Sequence, residues 1–166
     1  MKKIILLFVA CSSLLSCTAQ KKDFSADALN ENILSFEGST SNLQAILNKH
    51  VGKAIVIEIW ASWCGDCVKA MPKLKELQAK NPNVAYVFIS MDKTVGKWKE
   101  GILKHELKGD HYMALDGMKG SFGKSIDLDW IPRYIIIDKT GKVEVYRAIE
   151  TEFDKIQNTL IKLYNK

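Results

Sequence analysis

The sequence has little of several features on which common functions depend. It contains four cysteines and three scattered histidines in 166 residues, and no second Cys-x-x-Cys pair that would complete a tetrahedral zinc site. The net charge of +5 is mild, and Lys2 and Lys3 carry two of these charges, which leaves +3 for the remainder. No basic patch interleaved with aromatic residues occurs, and there are no internal repeats. These absences argue against a nucleic-acid-binding protein and against a structural zinc module.

The N-terminal apolar stretch is too short to span a bilayer. Met1-Lys2-Lys3 is positively charged, Ile4 to Ala10 is apolar, and small residues follow, which is typical of an export signal. The residues Leu14-Leu15-Ser16-Cys17 resemble the lipobox of bacterial lipoprotein signal peptides. The mature protein is therefore predicted to work outside the cytoplasm, where disulfides persist.

The lipobox resemblance implies cleavage before Cys17 and a lipid on that cysteine. Residues 1–16 are then the signal peptide, 17–30 the lipidated cysteine and its tether, and 31–166 the folded domain. The alternatives are an ordinary secretory signal cut nearby or a lipobox at Cys11.

One stretch organises the rest of the chain. A β-branched apolar run over 54–60 leads to the pair Cys64-x-x-Cys67, and apolar residues recur at helical spacing directly after it. The two cysteines are thus predicted at a strand-to-helix turn, where free N–H groups and the helix dipole stabilise a thiolate. A pair so close in sequence closes too short a loop to stabilise the fold much. We interpret it as a redox couple.

The hydrophobic pattern predicts an α/β domain. Strands covered on both faces read as continuous apolar runs, and a strand–helix–strand unit makes its two strands parallel. The predicted elements are strands at 33–36, 54–60, 84–90 and 111–114, a hairpin over 133–147, and helices at 43–47, 65–80 (kinked at Pro72), 94–107, 118–125 and 153–164.

Three features together resemble the thioredoxin fold: Trp63-Cys64-Gly65-Asp66-Cys67 after an apolar strand, Pro72 five residues beyond the second cysteine, and Ile131-Pro132 before a hairpin. The extra helix and strand between Asp92 and Asp129, with the export signal, are similar to the TlpA/ResA type of membrane-tethered thioredoxin-like protein. The resemblance implies a central mixed β-sheet flanked by helices on both faces. The extra helix and strand form an insertion between the second buried strand and a cis-proline loop.

The resemblance also implies roles for the site residues. Cys64 is the nucleophile that attacks a substrate disulfide, and Cys67 resolves the mixed disulfide and closes the disulfide Cys64–Cys67. Glu58 lies within an apolar strand, where burial raises a carboxyl pKa, and the resemblance makes it the proton acceptor of Cys67. The alternative for Glu58 is a solvated glutamate on an edge strand.

The proline loop is expected to receive the substrate. The resemblance implies a cis bond before Pro132, which exposes the Ile131 backbone for pairing with an extended segment, whereas the alternative is a trans-proline that starts a strand. Trp63 is predicted to shield the cysteines and to offer an apolar docking surface. Arg133 either biases substrate choice or is simply exposed.

The other tryptophans are predicted to pack in the interior. Trp60 is assigned to the core, and Trp98 and Trp130 are interpreted as packing residues. Trp130 adjoins the proline loop, so the alternative is that it lines the substrate-binding groove there.

The residues between the cysteines depart from the family pattern, in which proline often precedes the second cysteine. Gly65 and Asp66 stand there instead, and the charge of Asp66 disfavours a thiolate nearby. A less stabilised thiolate makes the couple more reducing, so the sequence favours a disulfide reductase.

Other functions of this fold lack their motifs. A thiol peroxidase needs a Pro-x-x-x-Thr/Ser-x-x-Cys loop, and copper chaperones typically have three residues between the cysteines and a partnered histidine. A lipoprotein that uses the fold only for binding is a further alternative. No metal or cofactor is expected.

The expected partners are protein disulfides, a membrane-embedded thiol electron donor and the membrane through the lipid on Cys17, with no nucleic acid. The protein is expected to be a monomer, exported and lipid-anchored to a bacterial membrane, facing the periplasm or cell envelope.

Overall fold

The computed structural model describes residues 23–165, so the predictions for Cys11, Cys17 and the signal peptide lie outside the described residues. A seven-stranded sheet has the order β2-β1-β5-β4-β3-β6-β7. The strands are β1 Asn32–Ser35, β2 Thr40–Asn42, β3 Ile55–Trp60, β4 Ala85–Ser90, β5 Asp110–Met113, β6 Arg133–Ile137 and β7 Val143–Ala148. The helices are α1 Ala26–Asn30, α2 Leu43–Lys49, α3 Gly65–Lys80, α4 Val95–His105, α5 Ser121–Ser125 and α6 Phe153–Tyr164.

The centre of the sheet is the strand–helix–strand unit that the sequence predicts. Strand β3 pairs in parallel with β4, and α3 makes the crossover between them. All six residues of β3 are buried, so both faces of the sheet are covered there. On its other side β3 pairs antiparallel with β6, which forms the predicted hairpin with β7. The sheet is therefore mixed, and α4 and β5 form the predicted insertion before the proline loop.

Helix α3 is attached to α6 at its C-terminal end. The side chain of Asn81, the residue after α3, is buried and donates to the carbonyl of Leu77 at 2.8 Å and to Gln157 of α6 at 2.9 Å. The first bond satisfies a backbone carbonyl that has no partner within the helix, and the second fixes α3, which carries the second cysteine, to α6.

The folded part starts further toward the N-terminus than the predicted boundary at residue 31. Ser25 caps the one-turn helix α1 by accepting from the Ala28 N–H at 3.2 Å, and Ala28 is fully buried. A single turn is too short to show a helical period in the sequence. Among residues 23–165, no helix has the length and apolar character needed to cross a membrane.

Candidate active site

The first cysteine lies at the N-terminus of α3. Cys64 is the residue that caps this helix, and its Sγ accepts a hydrogen bond from the Cys67 N–H at 3.1 Å. Free N–H groups and the positive end of the helix dipole converge at this position, which stabilises negative charge on the sulfur. The predicted Cys64–Cys67 disulfide is present.

The two sulfurs differ in their access to solvent. Cys64 is 6% exposed, whereas Cys67 is completely buried. Trp63, directly before the pair, is 57% exposed. An incoming substrate sulfur can therefore reach Cys64 but not Cys67.

The proline loop meets the disulfide from the other side. The Ile131–Pro132 peptide bond is cis, and the Ile131 carbonyl oxygen lies 3.6 Å from Cys64 Sγ. Residues far apart in the sequence thus meet within contact distance, as the resemblance implies.

Glu58 lies in the central strand rather than on an edge. It is 2% exposed, and the Tyr134 hydroxyl donates to its Oε1 at 3.1 Å. Its Oε2 has no hydrogen-bond partner among residues 23–165. Burial raises the pKa of Glu58 to about 8, and the hydrogen bond from Tyr134 opposes this rise. A carboxyl group with this pKa exchanges a proton near neutral pH.

A groove lies next to Trp63, and its lining holds apolar side chains together with aspartates and lysines. Trp63, Leu115 and Met118 are among the residues that line this groove of about 410 Å³, and Leu115 is 61% exposed. Trp130, which precedes the proline loop, is 58% exposed, so its interpretation as a packing residue is wrong. An exposed apolar cluster beside a reactive group is typical of a binding surface.

Two of the tryptophans follow their prediction. Trp60 and Trp98 are completely buried. The ring of Trp60 reaches α4, since a Cβ on Gly101 would come within 3.2 Å of it.

Arg133 is neither exposed nor available to a substrate, so both expectations for it are wrong. It is 1% exposed and donates to the carbonyls of Ile126 and Asp127 at 2.8 Å each, and to the carboxylate of Asp129. Arg147 donates to Asp129 and Asp127 from the solvent side. Five donors in a planar fork suit this bridging of several oxygens. The two arginines attach the segment before the proline loop to the sheet.

Asp92 is a further site residue, which the sequence interpretation missed. It is completely buried, its Oδ1 accepts from the Ser62 hydroxyl at 2.7 Å, and its Oδ2 accepts from the Ser62 N–H at 3.0 Å and the Ser90 hydroxyl at 2.7 Å. It thereby fixes the turn that leads into Cys64. Its place two residues after a buried strand was the available signal, since the carboxyl ends of the parallel strands β3 and β4 meet at one edge of the sheet.

Replacing Asp92 by alanine is expected to lower the free energy of unfolding by about 3 kcal/mol, because two part-buried donors of Ser62 and the buried hydroxyl of Ser90 lose their acceptor. Urea denaturation measures the change. The matched control is Asp154→Ala, an exposed aspartate in the first turn of α6, for which we expect less than about 1 kcal/mol. Equal losses in the two variants would contradict a structural role for the Asp92 bonds.

Across 23–165 no group of three or more histidine, cysteine, aspartate or glutamate residues is arranged to hold a metal ion.

One relative of known sequence matches most of the chain, and another matches about a third of it. ResA, a thiol-disulfide oxidoreductase of Bacillus thuringiensis subsp. konkukian, is 28% identical over 158 residues, which cover 86% of this chain and 87% of ResA. Thioredoxin H8 of Arabidopsis thaliana is 43% identical over 60 residues, 36% of this chain and 39% of that protein.

Solved structures share the fold. DsbF of MTB superposes with a TM-score of 0.66 at 22% identity and covers 82% of this chain and 97% of its own. A thiol-disulfide oxidoreductase of Bacteroides fragilis gives a TM-score of 0.66 at 23% identity, with 79% and 96% covered. The thioredoxin fold predicted from the sequence is thus confirmed. The Redoxin family model matches residues 19–160, and the chain therefore belongs to the Redoxin family.

Proposed function

We propose that this chain is an extracytoplasmic thiol–disulfide oxidoreductase that reduces disulfides of exported proteins at Cys64 and Cys67. The observation that carries the proposal is the Cys64–Cys67 disulfide at the N-terminus of α3, with the Ile131 carbonyl 3.6 Å from Cys64. The activity named for ResA and for the Bacteroides fragilis protein supports it.

The reaction begins with the reduced protein. The Cys64 thiolate attacks one sulfur of a substrate disulfide, the substrate S–S bond breaks, and the departing substrate sulfur takes up a proton. Cys67 then gives its proton to Glu58 and attacks the Cys64 sulfur of the mixed disulfide. The Cys64–Cys67 bond forms, the bond between Cys64 and the substrate sulfur breaks, and the second substrate sulfur leaves as a thiolate and takes up a proton. Two electrons have passed from the chain to the substrate.

Glu58 is the group that accepts this proton. Cys67 is buried, so its proton has no direct route to water. With a pKa of about 8, about a tenth of Glu58 is ionised at pH 7, and this ionised form can take a proton from a thiol and return it after the cycle. A glutamate at its ordinary pKa would be a weaker base for this step.

Substrate binding involves the proline loop and Trp63. An extended substrate segment pairs with the Ile131 backbone beside Pro132, in the manner of β-augmentation. Trp63, with Leu115 next to it in the same groove, supplies apolar contact area for side chains near the substrate disulfide.

The motif residues favour the reducing direction. Asp66 lies in the first turn of α3, 3.4 Å from Lys69 in a solvent-exposed pair that compensates its charge only weakly. Its charge disfavours the thiolate of Cys64 and so favours the oxidised chain, which makes the couple more reducing. At Gly65 an added Cβ would meet nothing within 4 Å, so the surface above the motif is open to a substrate.

The cellular setting completes the proposal. Residues 1–16 act as a signal peptide, Cys17 carries the lipid, and the domain faces the periplasm or cell envelope as a monomer. A membrane-embedded thiol donor reduces it again. One relative, 27% identical over 90 residues, is named a soluble secreted antigen, MPT53, of Mycobacterium tuberculosis, which supports work outside the cytoplasm.

Replacing Cys67 by serine is expected to trap substrate on Cys64, because the mixed disulfide can no longer be resolved. We expect most of the protein to accumulate as a complex with a reducible model substrate such as insulin, seen on non-reducing gels. In the matched control Cys64→Ser, Cys67 remains but is buried, so no complex should form. Complexes of equal yield with both variants would contradict the proposed order of attack.

A further inference from the structure

Among residues 23–165, the carboxyl group of Glu58 has one hydrogen-bond partner, and the sheet sets the geometry of this contact. Tyr134 on β6 lies directly opposite Glu58 on β3 in the antiparallel register, and its hydroxyl donates to Oε1 at 3.1 Å. Its ring packs against Phe153 of α6 with the centroids 5.3 Å apart. Tyr134 is completely buried. Both ends of the side chain are therefore fixed.

We propose that Tyr134 is a positioning residue for the proton transfer: it holds Oε1 of Glu58 and leaves Oε2 as the atom that takes the proton from Cys67. The inference rests on the proposed function. Oε2 is buried and has no partner among the residues that the structure describes. A buried polar atom without a partner is costly, which is a reason to expect a functional use for it.

The hydroxyl of Tyr134 stays a donor through the cycle. Burial and the neighbouring Glu58 hold the pKa of Tyr134 well above its usual value, so this group does not lose its own proton. A neutral Glu58 with its proton on Oε2 still accepts at Oε1, as does the ionised form. The hydrogen bond is stronger to the ionised form, and it therefore lowers the pKa of Glu58 below the value that burial alone would set.

The surroundings of the pair are mostly apolar. Strand β4 places Phe88 opposite Glu58, and α6 contributes Phe153, which packs on Tyr134. The other charged group is Glu150, after β7, whose charge contributes to the raised pKa of Tyr134. The hydroxyl of Tyr134 is thus the polar contact on which the behaviour of Glu58 depends.

The test replaces Tyr134 by phenylalanine, which removes the hydroxyl and keeps the ring contact with Phe153. In the oxidised protein, the carboxyl band of Glu58 is followed by infrared spectroscopy as pH is raised, and Glu58→Gln identifies the band. We expect the midpoint to rise by about one pH unit, since a hydrogen bond to the charged form is lost. Tyr112→Phe, another buried tyrosine of the sheet, is the control and should leave the midpoint unchanged.

A second substitution, which is expected to shift the midpoint of Glu58 in the opposite direction, provides a test if the phenylalanine variant does not fold. 3-Fluorotyrosine at position 134 is a stronger donor and should lower the midpoint. An unchanged midpoint in the folded phenylalanine variant, or in the fluorinated protein, would overturn the inference.

Kinetics separate a positioning role from a merely structural one. Tyr134→Phe should shift the pH profile of the resolving step upward in the wild-type background and change the rate less than about twofold in a Glu58→Gln background. Equal effects in both backgrounds would contradict the inference. The infrared titration needs no turnover, so failure of the proposed oxidoreductase activity, which Cys64→Ser tests, is distinguishable from failure of this inference.

Discussion

Replacement of Cys64 by serine is expected to abolish disulfide reduction, with a rate at least about a thousandfold below that of the wild type. Cys64 is the more accessible cysteine of the pair, at 6% exposed, and Cys67 is completely buried and so cannot attack a substrate in its place. An insulin-type reduction assay driven by a small dithiol measures the loss.

The variant should remain folded. Cys64 caps α3 through its sulfur, and a serine hydroxyl at position 64 can accept the same hydrogen bond from the Cys67 N–H. A circular-dichroism spectrum like that of the wild type provides this control. If the folded variant kept a tenth or more of the activity, the assignment of Cys64 as nucleophile would be wrong.

Replacement of Glu58 by glutamine is expected to stabilise the protein at alkaline pH. In the folded chain burial raises the pKa of Glu58 to about 8, above its ordinary value of 4.5. Between these two values the unfolded chain has lost the proton and the folded chain keeps it, so stability falls as pH rises through this window. By pH 9 the buried charge costs about 5 kcal/mol, which glutamine does not incur.

The measurement is the difference in unfolding free energy between the oxidised variant and the oxidised wild type, taken from pH 4 to pH 9. His105 and His111, which titrate in the same window, are present in both proteins, so their contributions to the pH dependence of stability cancel in the difference. A difference that stays constant with pH would contradict the raised pKa. The same variant should reduce substrate about a hundredfold more slowly, since it lacks the base.

The elements around the cysteines could be predicted because their local signals are strong. Strand β3 is a continuous apolar run, α3 shows a clear helical period, and the crossover rule then sets their neighbour β4 in parallel. Glu58 could be singled out because one carboxylate within such a run is conspicuous. The disulfide and the cis-proline loop were predicted from the family resemblance, and the structure places them in contact.

The remaining features depend on contacts that a linear pattern does not contain. Tyr134 faces Glu58 only because of the β3–β6 register, which apolar runs do not specify. Arg133 is buried because the segment before it turns back at Asp127, whose φ of 51° is left-handed, and presents carbonyls to it. Nothing local distinguishes the exposed Trp130 from the buried Trp98.

The arginine bonds at the proline loop have a consequence for recognition. Arg133 from the interior and Arg147 from the surface both donate hydrogen bonds to the carboxylate of Asp129 and to the carbonyl of Asp127. The conformation of the proline loop is therefore fixed when the chain folds. The loop loses its conformational entropy during folding, so binding of a substrate does not have to order it. The conformational adjustment then falls on the substrate, and segments that are already extended and mobile are expected to bind better than disulfides held in compact, finished folds.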